Sequence, residues 1–88
     1  TILLNGFLAS IECEEFTNAS YFKRVIKEHF YKENETYFRI VYLWAEGLLD
    51  SKQGIVKESQ KKMEDAVRIF EMLGCNKSAE YYRKTTDC

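Results

Sequence analysis

Proline is absent from this 88-residue sequence, and no stretch of it alternates apolar and polar residues in the manner of a half-buried strand. Cysteine is scarce as well. Cys13, Cys75 and Cys88 are odd in number and widely separated, which does not fit a disulfide framework. No CxxC pair is present to supply zinc ligands. We therefore expect free thiols in a reducing cytoplasm and no metal site.

An excess of positive charge is also lacking, since 13 lysines and arginines face 14 acidic residues and the net charge is −1. Basic and acidic residues are interleaved, whereas proteins that bind duplex nucleic acid usually carry a basic face. The first residues lack the basic start and the cleavage site of a signal peptide. The most apolar run, residues 37–49, is shorter than the ~20 residues of a membrane span. We expect no membrane insertion, and no nucleic acid bound by this segment itself.

Catalytic chemistry has little support in the sequence. The single histidine, His29, falls on an apolar helical stripe, which favours a packed side chain over a general base. Gly47 and Gly54 lack the GK[ST] continuation of a phosphate-binding loop. No spacing brings a base to a cysteine nucleophile, and Glu14 and Glu15 have the character of solvated charge at a helix end. The sequence therefore predicts neither an enzyme nor a bound cofactor.

Apolar residues recur at helical spacing along the chain and predict one all-α domain over residues 1–88. The predicted helices span residues 2–13, 19–31, 35–52, 55–73 and 77–85, with a polar linker at 32–35. Thr17, Asn18 and Ser20 are candidate N-caps for the second helix, and Gly54 and Gly74 are expected to end the third and fourth. Because the connections are short, consecutive helices should pack as antiparallel hairpins.

The third helix contains the run YFRIVYLWAEGLL at residues 37–49, which is apolar on nearly every side. Such a helix belongs at the centre of an assembly. One polar stripe remains, because five residues recur at steps of three and four: Arg39, Tyr42, Glu46, Asp50 and Gln53. This stripe is either the solvated edge of a packed helix or a ligand-binding surface.

The third and fourth helices together resemble a tetratricopeptide repeat. The resemblance rests on a bulky Leu43 four residues before a mid-helix Gly47, on the turn residue Gly54, and on Ser59, Met63 and Ala66 after it. Glu46 and Asp50 depart from the pattern, which prefers a leucine and an aromatic residue there. The resemblance implies a right-handed superhelix of helical hairpins in which Gly47 closely approaches the fourth helix.

A closer resemblance is carried by residues 54–83. This segment is similar to the C-terminal end of the Rgg/GadR/MutR family of bacterial transcriptional regulators, above all in twelve residues: Lys62, Met63, Ala66, Ile69, Phe70, Leu73, Gly74, Cys75, Ala79, Glu80, Tyr82 and Arg83. The family implies a cytoplasmic regulator that takes part in quorum sensing. In such a protein an N-terminal helix-turn-helix binds DNA, and a C-terminal helical-repeat domain binds a short peptide pheromone and forms a homodimer.

Several expectations follow from this resemblance. The chain should be a C-terminal fragment without the helix-turn-helix, so that DNA is bound only through the missing domain. The stripe of Arg39, Tyr42, Glu46, Asp50 and Gln53 should face the concave surface and contact a short peptide. Tyr81, Tyr82 and Thr85 of the last helix should either cap the array or contact a second copy. The alternative is a tetratricopeptide-like scaffold for protein–protein interaction that has no DNA-binding partner domain.

Overall fold

The computed structural model describes residues 2–30 and 36–87, and these residues form helices joined by tight turns, with no strand among them. The helices are α1 (Ile2–Glu12), α2 (Phe16–Val25) with a π-helical extension (Ile26–Phe30), α3 (Thr36–Lys52), α4 (Val56–Met72) and α5 (Asn76–Asp87). The predicted all-α class with five helices is confirmed. The predicted linker at residues 32–35 and the side chain of His29 lie outside the described part of the chain.

The same turn ends α1, α3 and α4. Each contains one residue in the left-handed region, with φ of 58° at Glu14, 85° at Gly54 and 78° at Gly74. In each, the next backbone N–H donates to a carbonyl five residues earlier, at a distance of 2.8 Å. This is the hydrogen-bond pattern of a Schellman motif. The predicted roles of Gly54 and Gly74 as helix stops are confirmed.

The repeated turn also fixes where the following helix packs. Five residues after the left-handed residue, each following helix presents a small, buried side chain: Ala19, Ser59 and Ala79. The structure thus repeats one helix–turn–helix pattern three times, although only two of the three turns contain glycine.

The predicted N-caps of the second helix are wrong. The helix begins at Phe16, before Thr17, Asn18 and Ser20, and the flanking residue Glu15 makes no side-chain capping bond. The physical reason is the turn itself, because the left-handed Glu14 reverses the chain at once and leaves no room for a longer connection.

Replacing Glu14 by glycine is expected to stabilise the protein by about 0.5–1 kcal/mol. A left-handed conformation costs a residue with a Cβ about 1–2 kcal/mol, and the extra freedom of glycine in the unfolded chain offsets part of the gain. Urea unfolding measures the difference. The matched control is Gly54→Ala, which should destabilise by about 1 kcal/mol through backbone strain alone, because nothing lies within 4 Å of its added Cβ. A less stable Glu14→Gly variant would contradict the assignment.

Helix packing follows chain order. The α1 helix packs on α2, α3 on α4, and α4 on α5, while a smaller contact joins α1 to α3. The α3 helix is therefore central, as predicted, and seven of its apolar residues are buried: Phe38, Ile40, Val41, Tyr42, Trp44, Ala45 and Leu49. Tyr37, at its first turn, is half exposed. Among the described residues, no helix combines the length and apolar character needed to cross a membrane.

Two glycines lie where neighbouring helices pack too closely to accept a Cβ without a shift. A Cβ at Gly47 would lie 2.6 Å from Cγ of Met63 and 3.0 Å from the carbonyl oxygen of Ser59, which confirms the predicted contact with the fourth helix. Gly6 plays the same part in α1, where a Cβ would lie 2.8 Å from the ring of Phe22 in α2. These two contacts support tetratricopeptide-like packing of neighbouring helices. The right-handed superhelix stays a prediction.

The apolar spacing of the fourth helix predicts that Val56 and Leu73 lie on its packing face, but both residues are exposed. Val56 is 64% and Leu73 55% exposed. Val56 is the first residue of α4, and Leu73 lies in the turn after α4. Each therefore lies at an end of the predicted face, and the buried residues lie between them.

Candidate ligand-binding surfaces on the central helix

The polar stripe of α3 is bridged to two other helices, α2 and α4, by one lysine from each. Glu46 and Asp50 are one turn apart, and their side chains are only 12% and 10% exposed. Glu46 Oε2 lies 3.5 Å from Nζ of Lys23 in α2. Asp50 Oδ2 accepts a hydrogen bond of 2.7 Å from Nζ of Lys62 in α4. Because each carboxylate has a cationic partner, two acidic residues tolerate a nearly buried position.

Both carboxylates of the stripe raise the pKa of Lys62. The hydrogen bond to Asp50 raises its pKa, and the negative charges of Glu46, Asp50 and Glu58 raise it further, while partial burial opposes them. The ammonium group of Lys62 therefore lies in a locally negative field set mainly by the polar stripe of α3.

The other three stripe residues lie in different environments. Tyr42 is buried, with its ring centroid 5.6 Å from that of Phe7 in α1, and its hydroxyl lies 3.5 Å from the carbonyl oxygen of Lys23. Arg39 is half-buried, and Gln53 is exposed in the turn after α3. The structure thus brings Glu46 and Asp50 together with two lysines, and it places Tyr42 in the core.

Removing the Asp50 carboxylate, with Asp50→Asn, is expected to lower the free energy of unfolding by about 1 kcal/mol at neutral pH. The loss is modest because Lys62 is 31% exposed and water partly replaces the lost partner. The folded-state pKa of Lys62 lies above its ordinary value of 10.5, so its stabilisation is present below that pH and is lost as the pH rises through the folded-state pKa.

Urea unfolding at neutral and strongly alkaline pH tests this prediction. The difference between wild type and Asp50→Asn should shrink at alkaline pH, where Lys62 loses its charge. The matched control is Glu58→Gln, because Glu58 acts on Lys62 through charge and not through a hydrogen bond. Equal effects of the two substitutions would count against a specific Asp50–Lys62 contact.

A groove with a volume of about 810 Å³ lies on the other side of the α3–α4 hairpin. Leu48 lines it, together with Lys52 of α3, one face of α4 from Val56 to Glu71, and Arg83 and Thr85 of α5. Leu48 is two residues from both Glu46 and Asp50, so on a helix with 3.6 residues per turn it points away from them. The groove and the polar stripe are therefore on opposite faces of α3.

The groove combines an apolar base with charged walls. Met63 and Val67 are buried at its base, and Val56 adds an exposed apolar side chain. Cationic side chains of Lys52, Arg68 and Arg83 and anionic side chains of Glu64 and Glu71 line the walls. Sequence periodicity did not predict this groove, because the residues that line it come from three helices and do not form a sequence motif. An indirect signal was the amphipathic pattern of the fourth helix.

The three α5 residues predicted to cap the array or contact a second copy also differ in position. Tyr82 is partly buried and stacks on Phe70, with ring centroids 5.4 Å apart and planes 10° apart, and its ring lies 5.1 Å from Trp44. Tyr81 is 64% exposed, and the exposed Thr85 donates its hydroxyl to the Tyr81 carbonyl at 3.0 Å. In this structure Tyr82 joins α5 to α3 and α4, and Tyr81 is available at the surface.

Tyr37 completes this aromatic group. Its ring lies 5.3 Å from that of Phe70, and its hydroxyl shares a hydrogen bond with Tyr82. Burial, followed by the neighbouring Tyr37, raises the pKa of Tyr82 to about 12. Tyr82 is therefore a neutral hydrogen-bonding group at physiological pH.

No group of three or more histidine, cysteine, aspartate or glutamate residues within residues 2–30 and 36–87 is arranged to hold a metal ion. The family model of the HTH-type transcriptional regulator Rgg, C-terminal domain, matches residues 1–84. No individually curated protein matches the chain.

Proposed function

Because this chain belongs to the family of C-terminal domains of the HTH-type transcriptional regulator Rgg, we propose that it binds a short peptide and forms a homodimer as the regulatory domain of a cytoplasmic regulator. DNA is then contacted through a separate helix-turn-helix domain. The family is one of regulators, which fits the lack of catalytic motifs in the sequence.

The observation that best supports peptide binding is the groove along α3, α4 and α5. Its volume of about 810 Å³ falls in the range of small-ligand and cofactor sites, roughly 300–1,000 Å³. Buried Met63 and Val67 offer an apolar base for ligand side chains, and the polar walls offer partners for a peptide backbone. Most lining residues are polar or charged and a few are apolar, a mixture that can meet both the backbone and the side chains of a peptide.

The polar stripe is the second candidate surface. Arg39, Glu46 and Asp50 lie along one face of α3 and Gln53 lies in the turn after it, but Lys23 and Lys62 already neutralise the two carboxylates. A ligand there has to displace at least one lysine, which costs it a favourable ion pair. We therefore favour the groove as the peptide site and keep Arg39 as the test residue for the stripe.

Isothermal titration of a panel of short synthetic apolar peptides against three proteins tests the proposal. The proteins are wild type, the groove variant Val56→Arg and the stripe variant Arg39→Ala. Val56 is 64% exposed, so its substitution should place a bulky charge in the groove without unfolding the domain. We expect Val56→Arg to weaken binding about tenfold or more, because the peptide loses an apolar contact and has to desolvate the new charge. Arg39→Ala should leave binding unchanged.

The reverse pattern assigns the peptide to the stripe, and absence of binding by wild type refutes peptide binding by this domain. Circular dichroism of each variant controls for folding. Equal weakening by both substitutions would point to a loss of fold and not to a site.

Self-association is proposed through α5. Tyr81 is an exposed aromatic residue on the outer face of α5, and its neighbours Glu80 and Lys84 form an ion pair of 3.4 Å. An apolar ring framed by opposite charges suits contact with an identical surface, since aromatic residues are enriched in protein interfaces. Sedimentation velocity should give a dimer for wild type and a monomer for Tyr81→Asp. A monomeric wild type at tens of micromolar rejects dimerisation by this domain alone.

A further inference from the structure

The two ends of the groove carry different charged side chains. Residues 56–71 of α4 line it, and at 1.5 Å per residue this face is roughly 22 Å long. An extended peptide rises about 3.3 Å per residue, so roughly six or seven residues span the face. Lys52 lies beside the start of α4, and Arg68 and Arg83 lie beside its end. The two guanidinium groups therefore belong to one end of the groove.

At this end an ion pair joins two helices across the groove wall. Arg83 Nη2 of α5 lies 2.8 Å from Glu71 Oε2 of α4, and the two side chains are 48% and 50% exposed. A pair as exposed as this contributes little to stability. A ligand carboxylate therefore loses little by replacing Glu71 as the partner of Arg83.

The guanidinium group suits this role. Arginine binds carboxylates through a planar pair of N–H donors, which gives both affinity and a fixed orientation. Arg68, three residues before Glu71 on α4, lies at the same end, and its partner Asp65 at 3.3 Å is not part of the groove lining. Among the lining residues that the structure describes, three side chains are cationic and two are anionic, although the chain as a whole has a net charge of −1.

From this geometry we infer that Arg83 binds a free carboxylate of the ligand, and that Glu71 competes with the ligand for Arg83. The inference rests on the proposed peptide-binding function and adds to it the ligand class: an extended peptide of about six or seven residues whose carboxylate lies at the end of α4. Glu71 keeps Arg83 oriented when the groove is empty, and ligands without a carboxylate at this point gain nothing from Arg83.

The test uses two forms of one probe, the N-acetylated hexapeptide Ser-Leu-Val-Ser-Leu-Val with either a free carboxylate or an amide at its C-terminus. Trp44 is the single tryptophan of the chain, it lies 5.1 Å from Tyr82, and it precedes the groove residue Leu48 by one turn. Its fluorescence reports binding, and isothermal titration gives the affinity. The proteins are wild type, Arg83→Gln, Arg83→Lys and Glu71→Gln.

For the acid form we expect about fivefold weaker binding by Arg83→Gln and about threefold tighter binding by Glu71→Gln, as for a partly exposed charge-assisted contact. Arg83→Lys should restore part of the loss, because it keeps the charge and loses the paired donors. The amide form should bind all four proteins alike and more weakly than the acid form binds wild type.

Two results overturn the inference in distinguishable ways. If acid and amide forms bind wild type equally and Arg83→Gln changes neither, the carboxylate site is wrong while peptide binding stands. If neither form nor any peptide of the panel binds wild type, the proposed function fails and the inference fails with it. Circular dichroism of Arg83→Gln and Glu71→Gln excludes a folding defect, which is not expected at half-exposed positions.

Discussion

Replacing Phe70 by alanine is expected to lower the free energy of unfolding by about 3–5 kcal/mol, the range for removal of a buried phenylalanine side chain. Phe70 is fully buried in α4. Its ring lies 5.4 Å from that of Tyr82 in α5 and 5.3 Å from that of Tyr37 in α3. One side chain of α4 therefore packs against both α3 and α5, and its loss leaves a cavity that none of the three helices can fill without moving.

The effect should be large relative to the stability of the whole domain. Small domains have total stabilities of roughly 5–15 kcal/mol, so a loss of this size leaves a sizeable unfolded population. The first local consequence is expected at α5, whose Tyr82 loses its stacking partner and comes away from Trp44. The fluorescence of Trp44 should therefore change at lower urea concentration than in wild type.

Urea unfolding, followed by circular dichroism and by Trp44 fluorescence, measures both effects. The matched control is Met72→Ala, because Met72 lies two residues later on α4 and is 78% exposed. Its effect should stay within about 0.5 kcal/mol, as for other surface positions. A loss below about 1.5 kcal/mol for Phe70→Ala, the cost of a much smaller deletion, would contradict the described three-helix contact.

The sequence was sufficient to predict the helices, because their apolar spacing and two turn glycines are local signals. The start of the second helix was misplaced by three residues for an equally local reason: the turn before it depends on a left-handed glutamate. Glutamate has no special tendency toward that conformation, so Glu14 gave no sign of a turn. The π-helical extension at Ile26–Phe30 was likewise not predicted from the apolar spacing.

The candidate site shows a different limit. Helical periodicity correctly placed Glu46 and Asp50 on one face of α3, but a period carries no information about partners from other helices. Lys23 and Lys62 reach these carboxylates from α2 and α4. The groove was not predicted for the same reason, because its base and walls form only when α3, α4 and α5 pack together.

Replacing Gly47 by alanine is expected to destabilise the protein by about 1–3 kcal/mol, even though alanine favours a helix by about 1 kcal/mol over glycine. The added Cβ would lie 2.6 Å from Cγ of Met63 and 3.0 Å from the carbonyl oxygen of Ser59. Met63 can change rotamer, but the Ser59 carbonyl belongs to the backbone of α4. Relief of that contact therefore requires α4 to move away from α3.

Gly6→Ala is the matched comparison, because the three atoms nearest to its Cβ would all belong to the ring of Phe22, the first at 2.8 Å. That ring is half-buried and can swing aside, so the gain in helix propensity should offset most of the strain. Urea unfolding of the two variants should therefore show a clear loss for Gly47→Ala and little change for Gly6→Ala. Equal losses would mean that the Ser59 carbonyl adds no strain beyond that of a side-chain contact.

Movement of α4 has a second expected consequence. It distinguishes a displaced helix from a local rearrangement of Met63. The hydrogen bond from Lys62 to Asp50 spans the same α3–α4 interface, at 2.7 Å, and it should lengthen as α4 moves. In a double-mutant cycle, Asp50→Asn should then cost less in the Gly47→Ala background than in wild type. Additive effects would indicate that α4 stays in place and that Met63 alone absorbs the added methyl group.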